Sequence, residues 1–389
     1  MSVIPYGRQS INRSDIEAVI EVLGSDFLTQ GPVVPAFEKT LSSYCGVPYA
    51  IAVNSATSAL HLACLALGVR TGDIVWTSPI SFVASANCAL YCGAKIDFVD
   101  IDPRTYNLSL ERLAAKLATA EKQGALPKVL IVVHLCGQPC DMEGIRALSL
   151  RFGFKIIEDA SHAIGATYKG GRVGNCEYSD IAVFSFHPVK IITTGEGGAA
   201  LTRDPQLAKS MQSLRSHGIT RDPSEMDREP DGPWYYQQIE LGYNYRMTDI
   251  QAALGCSQFR RLDNGEFVAA RTSLARRYDR LLAELPVTTP WQHPNGRSAW
   301  HLYVVRLQEG GVKRRNAVFA EMRAAGIGVN LHYIPIYSQP FYQRLGYEFE
   351  RCEEAERYYE SAITLPLYPT LSEEQQDRVI DVLKRSISK

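Results

Sequence analysis

Phe184-Ser185-Phe186-His187-Pro188-Val189-Lys190, followed by Gly195-Glu196-Gly197-Gly198, carries a lysine out of an apolar stretch into a run of small residues. A partly desolvated amine there has its pKa lowered, becomes nucleophilic and can form a Schiff base with a carbonyl. The glycines let ligand and backbone approach closely. A lone lysine is ordinarily solvated surface, so its companions decide. Ile156-Ile157-Glu158-Asp159-Ala160-Ser161-His162 ends a run in carboxylates. At the carboxyl edge of a parallel sheet, Asp159 projects into the ligand crevice, where it can keep a cationic ring nitrogen protonated or simply cap a helix. His162 taken singly reads as structural. Val53-Asn54-Ser55-Ala56-Thr57-Ser58-Ala59-Leu60 joins a strand end to a helix start. Its free N–H groups suit a phosphate, with the Thr57 and Ser58 hydroxyls as further donors, although N-capping by Ser55 or Thr57 uses the same residue types. Phe82, in Ser78-Pro79-Ile80-Ser81-Phe82-Val83-Ala84, offers a stacking face or a core aromatic. Jointly these are the parts of a pyridoxal phosphate site: a Schiff-base lysine, an acid for the ring nitrogen, a phosphate cup and an aromatic wall.

The elements needed to position them are legible as an alternation of short apolar runs and helical patterns, which predicts strand-helix-strand units around a largely parallel sheet. Strands are expected at 49–53, 73–77, 95–99, 129–133, 154–158 and 180–185, and helices at 58–67, 109–122 and 142–152. The uninterrupted runs Val129-Leu130-Ile131-Val132-Val133 and Ile181-Ala182-Val183-Phe184 are those of strands covered on both faces. A long helical pattern follows Asp249 and runs to about Leu285. Beyond the Pro290 to Gly296 loop, a strand at 301–307, a helix at 314–325, a strand at 328–333 and a helix at 372–386 predict a compact second unit. The division is placed inside the long helix, giving a large cofactor domain at 1–255 and a small C-terminal domain at 256–389. The polar stretch 221–232 reads as an exposed, mobile loop.

Composition narrows the class. The 389 residues are 46% hydrophobic and 21% charged, with 41 Lys plus Arg against 42 Asp plus Glu and a net charge of -1, so bulk charge gives no case for nucleic-acid binding. No apolar run reaches the roughly 18 residues of a membrane span, and the opening lacks the basic-then-apolar order of a secretory signal. A soluble cytoplasmic protein is expected. The nine cysteines are odd in number and not spaced as a disulfide framework, and Cys136 and Cys140 have no second pair at zinc spacing, so reduced thiols and no metal are expected. No G-x-G-x-x-G is present, which argues against a nicotinamide-dependent sugar oxidoreductase.

Thr29-Gln30-Gly31-Pro32, Asn54 to Leu60, Glu158-Asp159-Ala160, the Lys190 segment and Gly242-Tyr243-Asn244-Tyr245-Arg246-Met247 resemble, in order and spacing, the sugar aminotransferases of the DegT/DnrJ/EryC1/StrS family. The resemblance covers essentially the whole chain. It implies an aspartate-aminotransferase-like α/β fold of type I, with a mostly parallel central sheet, a small C-terminal α+β domain, and a homodimer whose active sites lie at the subunit interface. It makes Lys190 the Schiff-base former, pairs Asp159 with the pyridine nitrogen and sets Phe82 against the ring. Thr57, Ser58 and Ser185 would hold the phosphate, with Asn244 reaching it from the neighbouring subunit. His162 stands where many relatives have Gln beside the cofactor's phenolic oxygen. Tyr6, Thr29, Arg246 and His332 become substrate contacts, Arg246 facing either the nucleotide or the donor's carboxylate. A sugar dehydratase with His in place of the lysine is disfavoured by Lys190.

Ile4-Pro5-Tyr6-Gly7-Arg8-Gln9 and Ser25-Asp26-Phe27-Leu28-Thr29-Gln30-Gly31-Pro32 are most like family members of pseudaminic acid biosynthesis. That likeness implies amino transfer from L-glutamate to the C4 keto group of UDP-2-acetamido-2,6-dideoxy-beta-L-arabino-hex-4-ulose, a UDP-linked 4-keto-6-deoxy sugar. The product would be UDP-4-amino-4,6-dideoxy-N-acetyl-beta-L-altrosamine. Another UDP- or dTDP-keto sugar, aminated at C3 or C4, and a cofactor-binding sensor without turnover are the alternatives.

Overall fold

The computed structural model describes residues 3–347 and 349–388. Seven strands build the central sheet: β1 (Tyr49–Val53), β2 (Ile74–Thr77), β3 (Lys95–Phe98), β4 (Val129–Val133), β5 (Lys155–Asp159), β6 (Ile181–Ser185) and β7 (Gly198–Thr202), in the spatial order β1-β7-β6-β5-β4-β2-β3. All run the same way except β7, which is antiparallel to both neighbours. The sheet is buried on both faces because alternate residues of one strand enter different apolar clusters. Val129 and Ile131 of β4 join one cluster, and Leu130 and Val132 join another. Ile181 and Val183 of β6 separate in the same way from Ala182 and Phe184. Each such aliphatic side chain contributes about 1.5–3 kcal/mol on full burial, which fixes the register of the strands and hence the residues at their carboxyl ends.

β7 was not anticipated. Its Gly-Ala-Ala-Leu-Thr run has no β-branched or aromatic residue before Thr202 to mark a strand. Small size is required there: a Cβ on Gly198 would stand 2.5 Å from the Ala56 nitrogen and 2.6 Å from the Ser55 carbonyl carbon. The helix Ala56–Ala66 therefore starts directly against β7. Ser58 to Cys64 within it are all buried, as expected for a helix that is apolar around most of its circumference.

Two expectations for the second half are corrected. The long helical pattern is broken at Asn264 and Gly265, where Gly265 adopts φ 76°, giving separate helices Asp249–Asp263 and Glu266–Leu282. Phe259, Leu262 and Phe267 pack with the large sheet, whereas Ala275, Tyr278 and Leu282 pack with the C-terminal apolar cluster. Residues 328–333 are not a strand. Only the isolated pair Asn330 and Thr364 bridges there, because the segment leaves the sheet to follow the cavity described below. The C-terminal sheet is instead Val287–Thr288, Tyr303–Leu307 and Ala362–Leu365, all antiparallel, with helices Gly311–Ala324 and Glu373–Ile387 contributing to its core. The 221–232 loop is mostly exposed and contains a short helical turn at Pro223–Glu225. Near the start of the chain, Ile4 N–H donates to the Gly326 carbonyl at 2.9 Å and Gly328 N–H to the Ile4 carbonyl at 2.6 Å, which lays the N-terminal segment beside 326–328.

Candidate active site

The carboxyl ends of β1, β4, β5 and β6 open onto a cavity of about 900 Å³, the position at which open parallel sheets take their ligands. Its floor on one side is the start of the Ala56–Ala66 helix. Ser55 caps it, its Oγ accepting from Ser58 N–H at 3.1 Å, while Ser58 Oγ donates to Asn54 Oδ1 at 2.7 Å. Ala56 and Thr57, whose N–H groups make no hydrogen bond among the described residues, line the cavity at the positive end of the helix dipole, as does the buried Ser185. Ser55 caps the helix, and the donors it leaves open are of the kind a phosphate cradle uses.

Lys190 rides on the loop between β6 and β7. Phe186 N–H donates to the Gly197 carbonyl at 2.9 Å, and Thr194 N–H and Thr193 Oγ1 return to the Phe186 carbonyl at 3.0 Å each, closing the neck of the loop. Lys190 N–H donates to the His187 carbonyl at 2.9 Å, but its Nζ has no hydrogen-bond or ion-pair partner among the described residues. Burial pushes this amine down to about 8, and the Asp159 charge opposes part of that shift. A lysine so placed is in part a neutral nucleophile at neutral pH.

Asp159 ends β5 with its carboxylate buried. Oδ2 accepts from Ser85 Oγ at 2.6 Å, and Oδ1 accepts from Ser161 N–H at 3.2 Å. Ser85 in turn shares a 2.7 Å bond with Ser81, so a line of hydroxyls holds the acid in place. These donors fix the orientation of the carboxylate at the end of the strand. Beneath it, His134 Nε2 and Glu158 form a buried pair at 2.8 Å, with Ser179 Oγ donating to the other Glu158 oxygen. Glu158, adjacent to Asp159 in sequence, therefore faces away from the cavity.

Three imidazoles form the opposite wall. His162 Nδ1 accepts from Cys136 N–H at 3.3 Å, and its Nε2 lies 3.2 Å from the Tyr333 hydroxyl. The His301 ring is 4.4 Å from that of His162, its Nδ1 is buried without a partner among the described residues, and Arg271 holds its carbonyl at 3.2 Å. His332 Nδ1 is bonded to Thr364 Oγ1 at 2.9 Å. Burial, with Lys190 nearby, holds His162 and His301 well below the usual histidine range and pushes His332 down to about 3. All three are thus uncharged beside the lysine. Tyr6 packs on His332 at 5.3 Å, and burial raises its hydroxyl.

Of the residues singled out from the sequence, Tyr6, Thr57, Ser58, Phe82, Asp159, His162, Ser185, Lys190 and His332 line this one cavity. Phe82 is 59% exposed at its edge, 6.3 Å from the Tyr333 ring, and is not a core residue. Thr29, Asn244 and Arg246 do not line it. Thr29 bridges Thr248, Asn244 bridges Ser216, and Arg246 bridges Val53. Sequence reasoning missed Ser85, His301 and Tyr333. The one available signal was the spacing of Ser81 and Ser85, two hydroxyls four apart around the start of the largely apolar Ala84–Tyr91 helix.

The donor set suits pyridoxal phosphate: open helix N–H groups for a phosphate, a buried acid, an unpartnered amine and an aromatic edge. Known proteins agree. The DegT/DnrJ/EryC1/StrS aminotransferase family model matches residues 9–384. The chain is 38% identical to the spore coat polysaccharide biosynthesis protein SpsC of Bacillus subtilis, covering 98% of this chain and 96% of that protein. It is 37% identical to the UDP-4-amino-4,6-dideoxy-N-acetyl-beta-L-altrosamine transaminase of Campylobacter jejuni over 98% of this chain and 96% of the relative. It is 38% identical to the GDP-perosamine synthase of Caulobacter vibrioides over 96% and 95%. Among solved structures, Helicobacter pylori PseC, an aminotransferase of pseudaminic acid biosynthesis, superposes with a TM-score of 0.89 at 30% identity over the full length of both chains. Streptococcus pneumoniae Spr1654, solved in PMP and PLP forms, gives 0.89 and 0.88 at 31% and 30% identity, covering 99% of both chains. The chain therefore belongs to the DegT/DnrJ/EryC1/StrS aminotransferase family and is a pyridoxal-phosphate-dependent sugar aminotransferase.

Proposed function

We propose that the chain transfers an amino group from L-glutamate to the C4 keto group of UDP-2-acetamido-2,6-dideoxy-beta-L-arabino-hex-4-ulose, giving UDP-4-amino-4,6-dideoxy-N-acetyl-beta-L-altrosamine. The observation that carries amino transfer is Lys190, an unpartnered amine in the same cavity as the hydroxyl-held acid Asp159. The acceptor is supported by the full-length likeness to the Campylobacter transaminase and to PseC. Thr57, Ser58, Ser185 and the open N–H groups of the helix start bind the cofactor's phosphate, and Phe82 covers one edge of its ring. Asp159 Oδ atoms hold the proton on the ring nitrogen, and Lys190 Nζ is the attachment point. The cofactor, when bound, supplies the electron sink for a carbanion next to the amino group. Lys190 Nζ, once released, takes the proton from the donor's alpha carbon and later returns one to the sugar carbon, as base and then acid. His162 stands beside the cofactor, and Tyr6, His332, Thr29 and Arg246 contact the substrates. Kinetics are then ping-pong.

Asn244 completes a neighbour's site in a homodimer. Trp234 and Leu241, at 74% and 78% exposure in the segment that leads to Asn244, are the apolar surface such a neighbour would cover. Nine unpaired thiols suit a reducing cytoplasm. The likeness to a GDP-perosamine synthase supports a second acceptor reading, another nucleotide-linked keto sugar. A panel of UDP-, dTDP- and GDP-keto sugars with glutamate, read by 2-oxoglutarate release and product NMR, separates them. Turnover of a different keto sugar in place of the UDP-linked 4-keto sugar overturns the acceptor, and no 2-oxoglutarate with any of them overturns amino transfer.

A further inference from the structure

The hydrogen bonding of His162 decides what that wall of the cavity can donate. Its Nδ1 accepts the Cys136 N–H, so the one proton of the uncharged ring sits on Nε2. Nε2 is 3.2 Å from the Tyr333 oxygen, and its proton is spent there. The phenol is raised by burial and remains protonated. With its oxygen accepting from His162, its own proton has no acceptor among the described residues, although the side chain lines the cavity beside Phe82. The charged and titratable groups around the pair are Lys190, Asp159, His301, His332, Cys136 and Tyr6. None of them is hydrogen-bonded to the Tyr333 hydroxyl.

We propose that Tyr333, and not His162, is the hydrogen-bond donor that this wall presents to an acceptor oxygen of the bound cofactor or sugar nucleotide, with His162 acting as the positioning residue that orients the phenol. The inference rests on the pyridoxal phosphate reading and adds a residue to it. Tyr333 is half-buried and lines the cavity, so a ligand that offers an oxygen at that point gains a hydrogen bond there.

The test uses the cofactor-loaded enzyme and Tyr333→Phe, which removes one oxygen and keeps the ring. The visible absorbance of the lysine-linked cofactor is titrated without sugar. A donor on a cofactor oxygen favours its anionic form, so the variant's midpoint is expected to rise by about half to one pH unit. If the acceptor oxygen belongs to the sugar nucleotide, the midpoint stays and KM for that substrate rises about three- to tenfold. An unchanged midpoint together with an unchanged KM overturns the proposal. Nitrogen-15 NMR of labelled histidine adds a second measurement, in which a proton on Nδ1 of His162 overturns it and a proton on Nε2 supports it. Failure of the wider reading is distinguishable, because wild type itself would then show no lysine-linked absorbance to titrate.

Discussion

Ser85 Oγ stands 2.6 Å from Asp159 Oδ2, the shortest of the bonds that hold the acid at the end of β5. The donor comes from the Ala84–Tyr91 helix, so the acid is held from a different element of the chain. Ser85→Ala removes a hydrogen bond to an ionised group, worth about 1.5–3 kcal/mol. We expect a loss of about tenfold or more in kcat/KM for glutamate, with the cofactor still bound. Wild-type steady-state kinetics in this variant would remove Ser85 from the account of Asp159.

Lys190 gives a pH dependence with a defined sign. The amine is pushed down to about 8 in the folded chain by burial, below its ordinary 10.5. Only the neutral amine attacks a carbonyl, so capture of pyridoxal phosphate by apoprotein should accelerate up to about pH 8 and level off above it. Stopped-flow absorbance reads this directly. The same shift makes the buried ammonium destabilising. Below about pH 8 both folded and unfolded chains carry the charge, so the penalty is full, and it disappears as pH rises through the unfolded value. Apoprotein Lys190→Ala should therefore melt higher than wild type at pH 7, by a margin that shrinks toward pH 10, besides losing all amino transfer and lysine-linked absorbance.

Gly198 is a steric requirement and not a conformational one. Gly198→Ala would drive its methyl into the backbone of Ser55 and Ala56, which cannot give way as a flexible side chain can. A cost of about 1–3 kcal/mol in stability is expected from such overpacking. Because the displaced backbone is the proposed phosphate cradle, affinity for pyridoxal phosphate should fall with it. Calorimetry and cofactor titration together check this, and a variant that loses stability but binds cofactor normally would count against the cradle.

The proposed sharing of sites between subunits predicts complementation. Lys190→Ala and Asn244→Ala proteins should each be inactive or nearly so. Dissociated and reassociated at equal amounts, random pairing gives one intact site in half of the dimers, restoring about a quarter of wild-type activity. Activity that never exceeds the sum of the two separate variants would place Asn244 in its own chain's business only.

The central strands were legible because burial on both faces leaves uninterrupted apolar runs, and β1, β4 and β6 begin and end within a residue of expectation. β7 was not, since Gly198 is small for a neighbour's sake and Ala199 and Ala200 carry no strand signal. The 328–333 run looked like a strand through Val329 and Leu331, but its chain is diverted so that His332 and Tyr333 reach the cavity. Lys190, Asp159 and the Ser55 turn were readable because each sits at the end of its own local element. Tyr333, His301 and Ser85 matter only through partners 171, 139 and 74 residues away, namely His162 in the first two cases and Asp159 in the third, and no local pattern encodes those meetings.

The closed neck of the lysine loop has a consequence for timing. Phe186 is tied to Gly197 and Thr194, and the strands on either side, β6 and β7, are paired with each other. The backbone that carries Lys190 is thereby fixed at both ends by the most buried part of the sheet. The amine's travel is then rotation about the four carbons of its own side chain, a motion of picoseconds to nanoseconds rather than the microseconds to milliseconds of a moving loop. Whatever slows turnover in this enzyme, it is not the reach of the lysine.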